Sequence, residues 1–427
     1  MPGQRDDSAP ATDDDALDTE YAPLAAELAA RDAVGFVAVG DRFDDDLRWL
    51  TRFSGPDREY AFVAVPASRG DAGGDEPDDG DEPDRNADDG ANGVRTVLCA
   101  PALFDEQARR EFPGDAVRVD DQADPPGVRA AAALAERGAE SGTVLVPQGI
   151  PHDAAVYLER AGYEVASTDA VARARETKPD AEIDRLRRVQ RAAIRGIARA
   201  EAILAEATVD PDAEDGAGAV RWNGGVLSTE RLRRQVNEVL AAHGVRDAGN
   251  TVIGAGATAA DLHYTGTDVI RPGETVLLDV SPRGPDGYYG DVTRTFAVDP
   301  DGGWERRAYL AVEAAREAAL EEVAAGVPTS TVHEEAAAEL AAHGFRVDSP
   351  EVGFTHSTGH GVGVSLHEGP SLGGDEELES GNVVTIEPGV YDPGEGGVRL
   401  EDLIVVTDDG FEFLGEYPFS LVPKRRE

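Results

Sequence analysis

A chain of 427 residues is too long for one ordinary domain and long enough for two or three. Its 41% hydrophobic share excludes global disorder, and no apolar run reaches the length of a membrane-spanning helix. With 84 acidic against 40 basic residues the formal net charge is −44, a field that repels phosphate backbones and argues against nucleic-acid binding.

The basic residues are nearly all arginine, Lys178 and Lys424 being the only lysines. Carboxylates spread along the whole chain with so little lysine point to work in concentrated salt, where the Debye length shrinks to roughly 3 Å at 1 M. Met1–Glu20 is acidic, lacks the apolar core of a signal peptide and reads as a disordered tail, so the cytoplasm is the expected compartment. Cys99 is the only cysteine, which excludes an intramolecular disulfide and a cysteine-rich metal site. Within Val97-Leu98-Cys99-Ala100 it reads as a buried structural thiol rather than a nucleophile.

From residue 21 the pattern turns globular. An Ala/Leu helix precedes strands predicted at Val34–Val39 and Tyr60–Val65. The stretch Ser68–Gly93, rich in Gly, Asp, Glu and Pro, reads as a solvated loop inserted before a strand at Val94–Leu98. A strand at Val144–Val146 and a helix at Ala154–Arg160 continue an α/β domain spanning 21–175. Lys178-Pro179-Asp180 then opens a long helix with Asp180 as its N-cap. A second helix is expected at Ser228–His243 with Thr229 as cap, and Val209–Gly225 between the two reads as a loop. Further helices are expected at Trp304–Ala325 and Ser330–His343, and strands at Thr251–Gly254, Thr275–Val280, Asp291–Val298, Val383–Glu387 and Val398–Thr407. Helices mixed with antiparallel strands define an α+β domain over 176–427, without a visible internal repeat.

One motif misleads. Gly254-Ala255-Gly256-Ala257-Thr258-Ala259 follows an apolar strand and fits the dinucleotide-binding fingerprint, with Asp279 standing roughly where a ribose-binding acid belongs. That fingerprint needs a helix directly after the glycines. Asp261–Glu274 instead carries Thr265, Gly266, Thr267, Pro272 and Gly273 and no helical stripe, so the nucleotide reading is set aside.

More telling are carboxylates placed where strands normally carry something apolar. Asp279 ends Val276-Leu277-Leu278-Asp279, Asp291 starts Asp291-Val292-Thr293-Arg294, and the turn residues between them predict a hairpin that brings both within reach of one cation. His356-Ser357-Thr358-Gly359-His360-Gly361-Val362-Gly363, followed by His367, concentrates histidine among glycines that let the backbone come close to a metal or substrate. Glu387 closes the apolar run Val383–Ile386. Arg399 and Glu401 alternate on one face of the predicted strand at Val398–Thr407. Each feature alone more often marks a solvated edge, but here five segments of one domain each offer a ligand. Four carboxylates and one imidazole make a hard, oxygen-rich set with room for two divalent ions, Mn²⁺ first, with Co²⁺, Fe²⁺ and Zn²⁺ also admissible. In hydrolases two such ions, about 3.5–4 Å apart, share a hydroxide and steady a tetrahedral intermediate. The remaining histidines, with His263 of Asp261-Leu262-His263-Tyr264, then offer hydrogen bonds to substrate and oxyanion.

The order Asp279, Asp291, His356-x-x-x-His360-Gly-x-Gly, Glu387-Pro-Gly and Arg399-x-Glu401 resembles the pita-bread metallopeptidases of family M24, among them methionine aminopeptidase, aminopeptidase P and prolidase (Xaa-Pro dipeptidase). The resemblance covers nearly the whole chain. Leu47-Arg48-Trp49-Leu50-Thr51 and Asp57-Arg58-Glu59-Tyr60 look like the creatinase-type N-terminal domain, which methionine aminopeptidases generally lack. It therefore implies an α/β N-terminal domain, a pita-bread α+β catalytic domain and hydrolysis, by a metal-bridging hydroxide, of the bond preceding proline in Xaa-Pro peptides. It implies that Asp279 chelates one ion, that Asp291 and Glu401 bridge both, and that His360 and Glu387 complete the second, Glu387 also relaying a proton. By the same resemblance His263, His356 and His367 are substrate-binding and catalytic histidines, Arg399 orients Glu401 or the substrate, and Tyr391 lies near the active site. Two departures stand out: Asp279 and Asp291 are one residue further apart than is commonest, and Ser281 stands where the family usually has glycine. Relatives without peptidase activity, either creatinase-like and metal-free or silent binding modules, form the second reading, which the five retained ligand positions disfavour. Proline-containing peptides are the expected partners, with a homodimer, the choice between dipeptidase and aminopeptidase, and the physiological metal left open.

Overall fold

A computed structural model describes residues 17–67, 93–120, 124–213 and 218–426. Most of the acidic tail (1–16) and the acidic insertion through residue 92 lie outside the described residues. The chain divides into two compact units, Met1–Arg175 and Glu176–Glu427.

The first unit is built on a six-stranded mixed sheet whose spatial order is Ala116–Asp120, Val94–Pro101, Tyr60–Pro66, Gly35–Gly40, Gly142–Pro147 and Tyr163–Thr168. The central strands are apolar on both faces and fully buried, as a helix-covered sheet requires. Cys99 is buried within this core, outside any disulfide, with its Sγ 4.0 Å from the carbonyl oxygen of Arg129. The end of the expected tail departs from the sequence reading: Thr19 is buried and its hydroxyl donates to the carbonyl of Trp49 at 3.1 Å. Asp44 caps the helix Asp45–Thr51 by accepting from the amide of Leu47 at 2.7 Å.

In the second unit two antiparallel sheets are each covered by a helix pair, beside a two-stranded hairpin and a small three-stranded sheet. The helices Asp180–Glu206 and Thr229–Ala242 pack with the sheet Thr251–Ala255, Thr275–Val280, Thr293–Ala297 around Ile197, Leu204, Leu232, Val236, Ile253 and Leu278. The helices Trp304–Glu321 and Thr329–Ala342 pack with a five-stranded sheet around Val312, Val332, Leu340, Val384, Ile386 and Ile404. That sheet runs in the order Glu368–Ser371, His360–Gly361, Val383–Ile386, Asp402–Thr407 and Gly410–Phe413. A separate hairpin pairs Gly389–Asp392 with Gly396–Arg399.

Several local expectations change. Asp180 is the first helical residue, with Pro179 at the N-cap position, and its charge sits in the first turn where the helix dipole favours it. Ser228, not Thr229, caps the second helix, because its hydroxyl accepts from the amide of Arg231 while Thr229 accepts instead from the amide of Asp268. Val209–Gly225 is not a plain loop. Thr208–Asp210, Ala219–Trp222 and Gly225–Val226 form a small sheet, turned at Asn223 and Gly224, both at positive φ, the backbone that Asn-Gly favours in a hairpin. The expected strand Val398–Thr407 is two strands, broken at Leu400 and Glu401, because the Glu401 amide leaves the ladder to donate to the carbonyl of Thr293 at 3.1 Å.

Candidate metal centre

The predicted hairpin exists: Thr275–Val280 pairs antiparallel with Thr293–Ala297, and Asp279 lies opposite Thr293. Asp291 sits two residues before its strand begins, and the side chain of Gln190 holds its backbone there. The Gln190 Oε1 accepts from the Asp291 amide and its Nε2 donates to the Asp291 carbonyl, both at 2.7 Å. The strand break places Glu401 beside the same hairpin, where the Thr293 hydroxyl donates to Glu401 Oε2 at 2.6 Å. As a result one carboxylate oxygen from each of Asp279, Asp291 and Glu401 lies within 4.8 Å of the others.

His360 and Glu387 arrive from the second sheet. The His360 ring donates from Nδ1 to the carbonyl of Gly361 at 3.0 Å, which orients the ring with Nε2 toward the carboxylates. That Nε2 lies 3.3 Å from Glu387 Oε1 and 3.9 Å from Asp291 Oδ2. The flanking glycines serve a different purpose from the one expected. A Cβ at Gly359 would stand 1.9 Å from the carbonyl oxygen of Thr385, and one at Gly361 2.0 Å from that of Gly369. Glycine here lets neighbouring strands close on the His360 backbone, rather than making room for a metal or substrate.

Arg399 is the one cation facing these carboxylates among the residues lining their cavity. Its Nη2 donates to Asp279 Oδ2 at 2.5 Å, its Nη1 to the Tyr391 hydroxyl at 3.1 Å, and its Nε to Thr293 Oγ1 at 3.1 Å. Tyr391 in turn bonds His356 Nε2 at 2.8 Å, and His356 donates from Nδ1 to the carbonyl of Ser357 at 2.7 Å. The relay therefore runs from Asp279 through Arg399 and Tyr391 to a neutral His356. Burial holds that imidazole down at about 3, helped by the Arg399 charge. Both ring nitrogens of His356 are engaged and Tyr391 is only 2% exposed, so the two brace Arg399, while His356 also lines the cavity.

His263 and His367 are the exposed histidines of the site and line the same cavity of about 420 Å³ with all five predicted ligands. The His367 ring lies 4.4 Å from that of His360, centroid to centroid, and burial with the nearby His360 pulls it down to about 4, so it is neutral at pH 7. Leu262, Leu366 and Val252 supply apolar wall. Ser281, which sequence reasoning mentioned only as a departure, donates its one proton within reach of both Asp279 Oδ1 (3.0 Å) and Asp291 Oδ1 (2.8 Å).

The electrostatics test whether cations belong here. Four carboxylates face one guanidinium, and Asp291 and Glu401 are 4% and 2% exposed. Burial pushes Glu387 up to about 7, with Arg399 opposing and Asp279 adding to the rise. Burial and the negative neighbours Glu387 and Asp279 push Glu401 up to about 8, and Asp291 rises well above its ordinary value for the same reasons. Such a surplus of buried negative charge, with an imidazole nitrogen turned into it, fits divalent cations.

Comparison with known proteins agrees with this chemistry. The model of metallopeptidase family M24 matches residues 184–408. The probable dipeptidase PepE of Mycobacterium tuberculosis is 30% identical over 261 residues, 60% of this chain and 63% of that protein. The Xaa-Pro dipeptidase of Lactobacillus helveticus is 37% identical over 165 residues, 38% of this chain and 43% of that protein. The match thus spans less than two thirds of these relatives. Among solved structures, an Xaa-Pro dipeptidase from Bacillus anthracis superposes with a TM-score of 0.76 at 21% identity, covering 94% of this chain and 98% of that one. The dipeptidase PepE of Mycobacterium ulcerans gives a TM-score of 0.70 at 27% identity, covering 94% and 96%.

Proposed function

The chain belongs to metallopeptidase family M24, and from that premise we propose that it hydrolyses the bond preceding proline in Xaa-Pro peptides, as a dipeptidase or aminopeptidase. The observation that carries the reading is the convergence of four carboxylates, two of them buried and two half-buried, and one imidazole on a single cavity with only Arg399 to oppose their charge. Asp279, Asp291, His360, Glu387 and Glu401 would hold two divalent ions, with Mn²⁺ the first choice for so oxygen-rich a set. The chemistry these supply when bound is Lewis acidity: a water made nucleophilic near neutral pH and a polarised scissile carbonyl.

The chain's own residues do the rest. Glu387 takes a proton from the attacking water and returns it to the departing proline nitrogen. His263 and His367, open to the cavity and uncharged in the case of His367, hold the peptide by hydrogen bonds, and His367 donates to the oxygen on which negative charge develops. Arg399 holds Asp279 in one rotamer, and Tyr391 and His356 hold Arg399. The relatives named as Xaa-Pro dipeptidases support the choice of substrate. The acidic, lysine-poor composition supports a cytoplasm of high salt as the working medium.

The test is hydrolysis of Xaa-Pro dipeptides and Xaa-Pro-Xaa tripeptides in molar KCl. Cleavage that disappears with chelator and returns with Mn²⁺ is expected, and the preferred length names the subclass. A folded, metal-loaded protein that cleaves none of them would favour a non-peptidase member of the fold.

A further inference from the structure

Of the 40 basic residues in the chain only Lys178 and Lys424 are lysine, and Lys178 is buried, 3% exposed. Its ammonium lies 2.6 Å from Glu368 Oε1, with the two side chains 1% and 2% exposed, and donates to the carbonyl of Glu176 at 3.1 Å. Glu368 directly follows His367 and opens the edge strand Glu368–Ser371. His367, at the end of the bend before that strand, lines the cavity, while the Glu368 side chain is buried against Lys178.

The backbone around the pair is held tightly. A Cβ at Gly363 would stand 2.2 Å from Glu368 Oε1, and one at Gly369 2.3 Å from Glu176 Oε1, so main chain closes on both carboxylates. The Lys178 amide donates to the carbonyl of Gly381 at 3.0 Å, and Thr177 bridges Asn382, which leads into the strand Val383–Ile386 that precedes Glu387. A buried ion pair is weak evidence for stability, since an apolar pair of similar volume often serves as well. What it supplies is a fixed point. A compact ammonium meets one carboxylate oxygen and one carbonyl here, whereas the planar fork of arginine, otherwise the rule in this chain, suits bidentate partners.

We propose that Lys178 is a positioning residue which, through Glu368, fixes the backbone that presents His367 to the substrate. The proposal rests on the peptidase reading for its kinetic readout but not for its structural one. The experiment uses the full-length, Mn²⁺-loaded protein in molar KCl with Lys178→Met, Glu368→Gln, His367→Ala and the double variants. Lys178→Met should keep its metal content and lose kcat by at least about tenfold. In the His367→Ala background the same change should cost less than about twofold more, since its route of action is already gone. NMR of labelled histidine ring nitrogens should show His367 displaced by Lys178→Met, with His263 and His356 unmoved. If Lys178→Met fails to fold, the isosteric Glu368→Gln carries the same cycle and the same ring signals. Losses that multiply in the double variant, a kcat within about twofold of wild type, or an unmoved His367 signal would each overturn the proposal. A wild-type protein without turnover would count against the peptidase reading alone, because the ring signals still decide whether Lys178 places His367.

Discussion

Glu401 and Asp402 are neighbours in the chain, both 2% exposed, yet their surroundings are opposite. Asp402 sits between two guanidiniums: Arg294 Nη2 reaches one oxygen at 2.7 Å and Arg316 takes the other, while both arginines lie over the ring of Phe419. Glu401 instead joins Asp279, Asp291 and Glu387 around the single cation Arg399. Arg294 connects the two clusters, donating from Nη1 to the carbonyl of Glu401 at 2.6 Å. A buried carboxylate matched by cations is part of the scaffold, whereas a buried group of carboxylates left in surplus is a receptor for positive charge.

The contrast can be broken most severely at the metal side. Asp291→Ala or Glu401→Ala should abolish turnover and metal retention together, because in the proposed centre each would serve both ions; an active Asp291→Ala enzyme would remove the site as proposed. Next comes the scaffold side. Asp402→Ala leaves two buried guanidiniums without their carboxylate and should destabilise the metal-loaded protein by about 3–5 kcal/mol in urea unfolding, a much larger change than an exposed acid would give.

A smaller effect, with a definite sign, separates the clusters by pH. Glu387 and Glu401 bind protons more tightly in the folded protein than as free side chains. Without metal they favour the fold at low pH, and that contribution is lost as pH rises through about 7 and about 8. Metal reverses the trend, since ligation needs the ionised carboxylates. The gain in Tm on replacing chelator by Mn²⁺ should therefore widen as pH is raised across that range, and a gain indifferent to pH would mean that other groups hold the ions. The smallest change is expected from Tyr391→Phe, which removes one link between Arg399 and His356 and should lower kcat by about tenfold or less with metal content intact.

The candidate ligands were legible because carboxylates at the ends of apolar strands contradict the local pattern, and contradictions of that kind stand out in a sequence. The helix pairs and the Asp279–Asp291 hairpin followed from periodicity and turn residues. What escaped was the part fixed by distant partners. Nothing near Glu401 signals that its amide leaves the strand for Thr293, and nothing near Gly359 signals the approach of Thr385. Gln190 and Thr293 look like ordinary helix and strand residues until the fold brings them against Asp291 and Glu401, and Lys178 looks like a linker residue until it meets Glu368. The Asn223-Gly224 turn was readable from its residue pair, but the long polar stretch around it hid the short strands.

The Gln190 side chain carries a lasting restriction on how this protein can vary. A primary amide offers one donor and one acceptor side by side, and here it imitates a missing neighbouring strand for Asp291. Glutamate has nearly the same shape and suits the acid-rich composition of the chain, yet it would set a lone pair against the Asp291 carbonyl and add a further negative charge beside the cluster. The acidic bias of the composition therefore cannot extend to this buried position, where an uncharged residue must be kept for the charged ones to work.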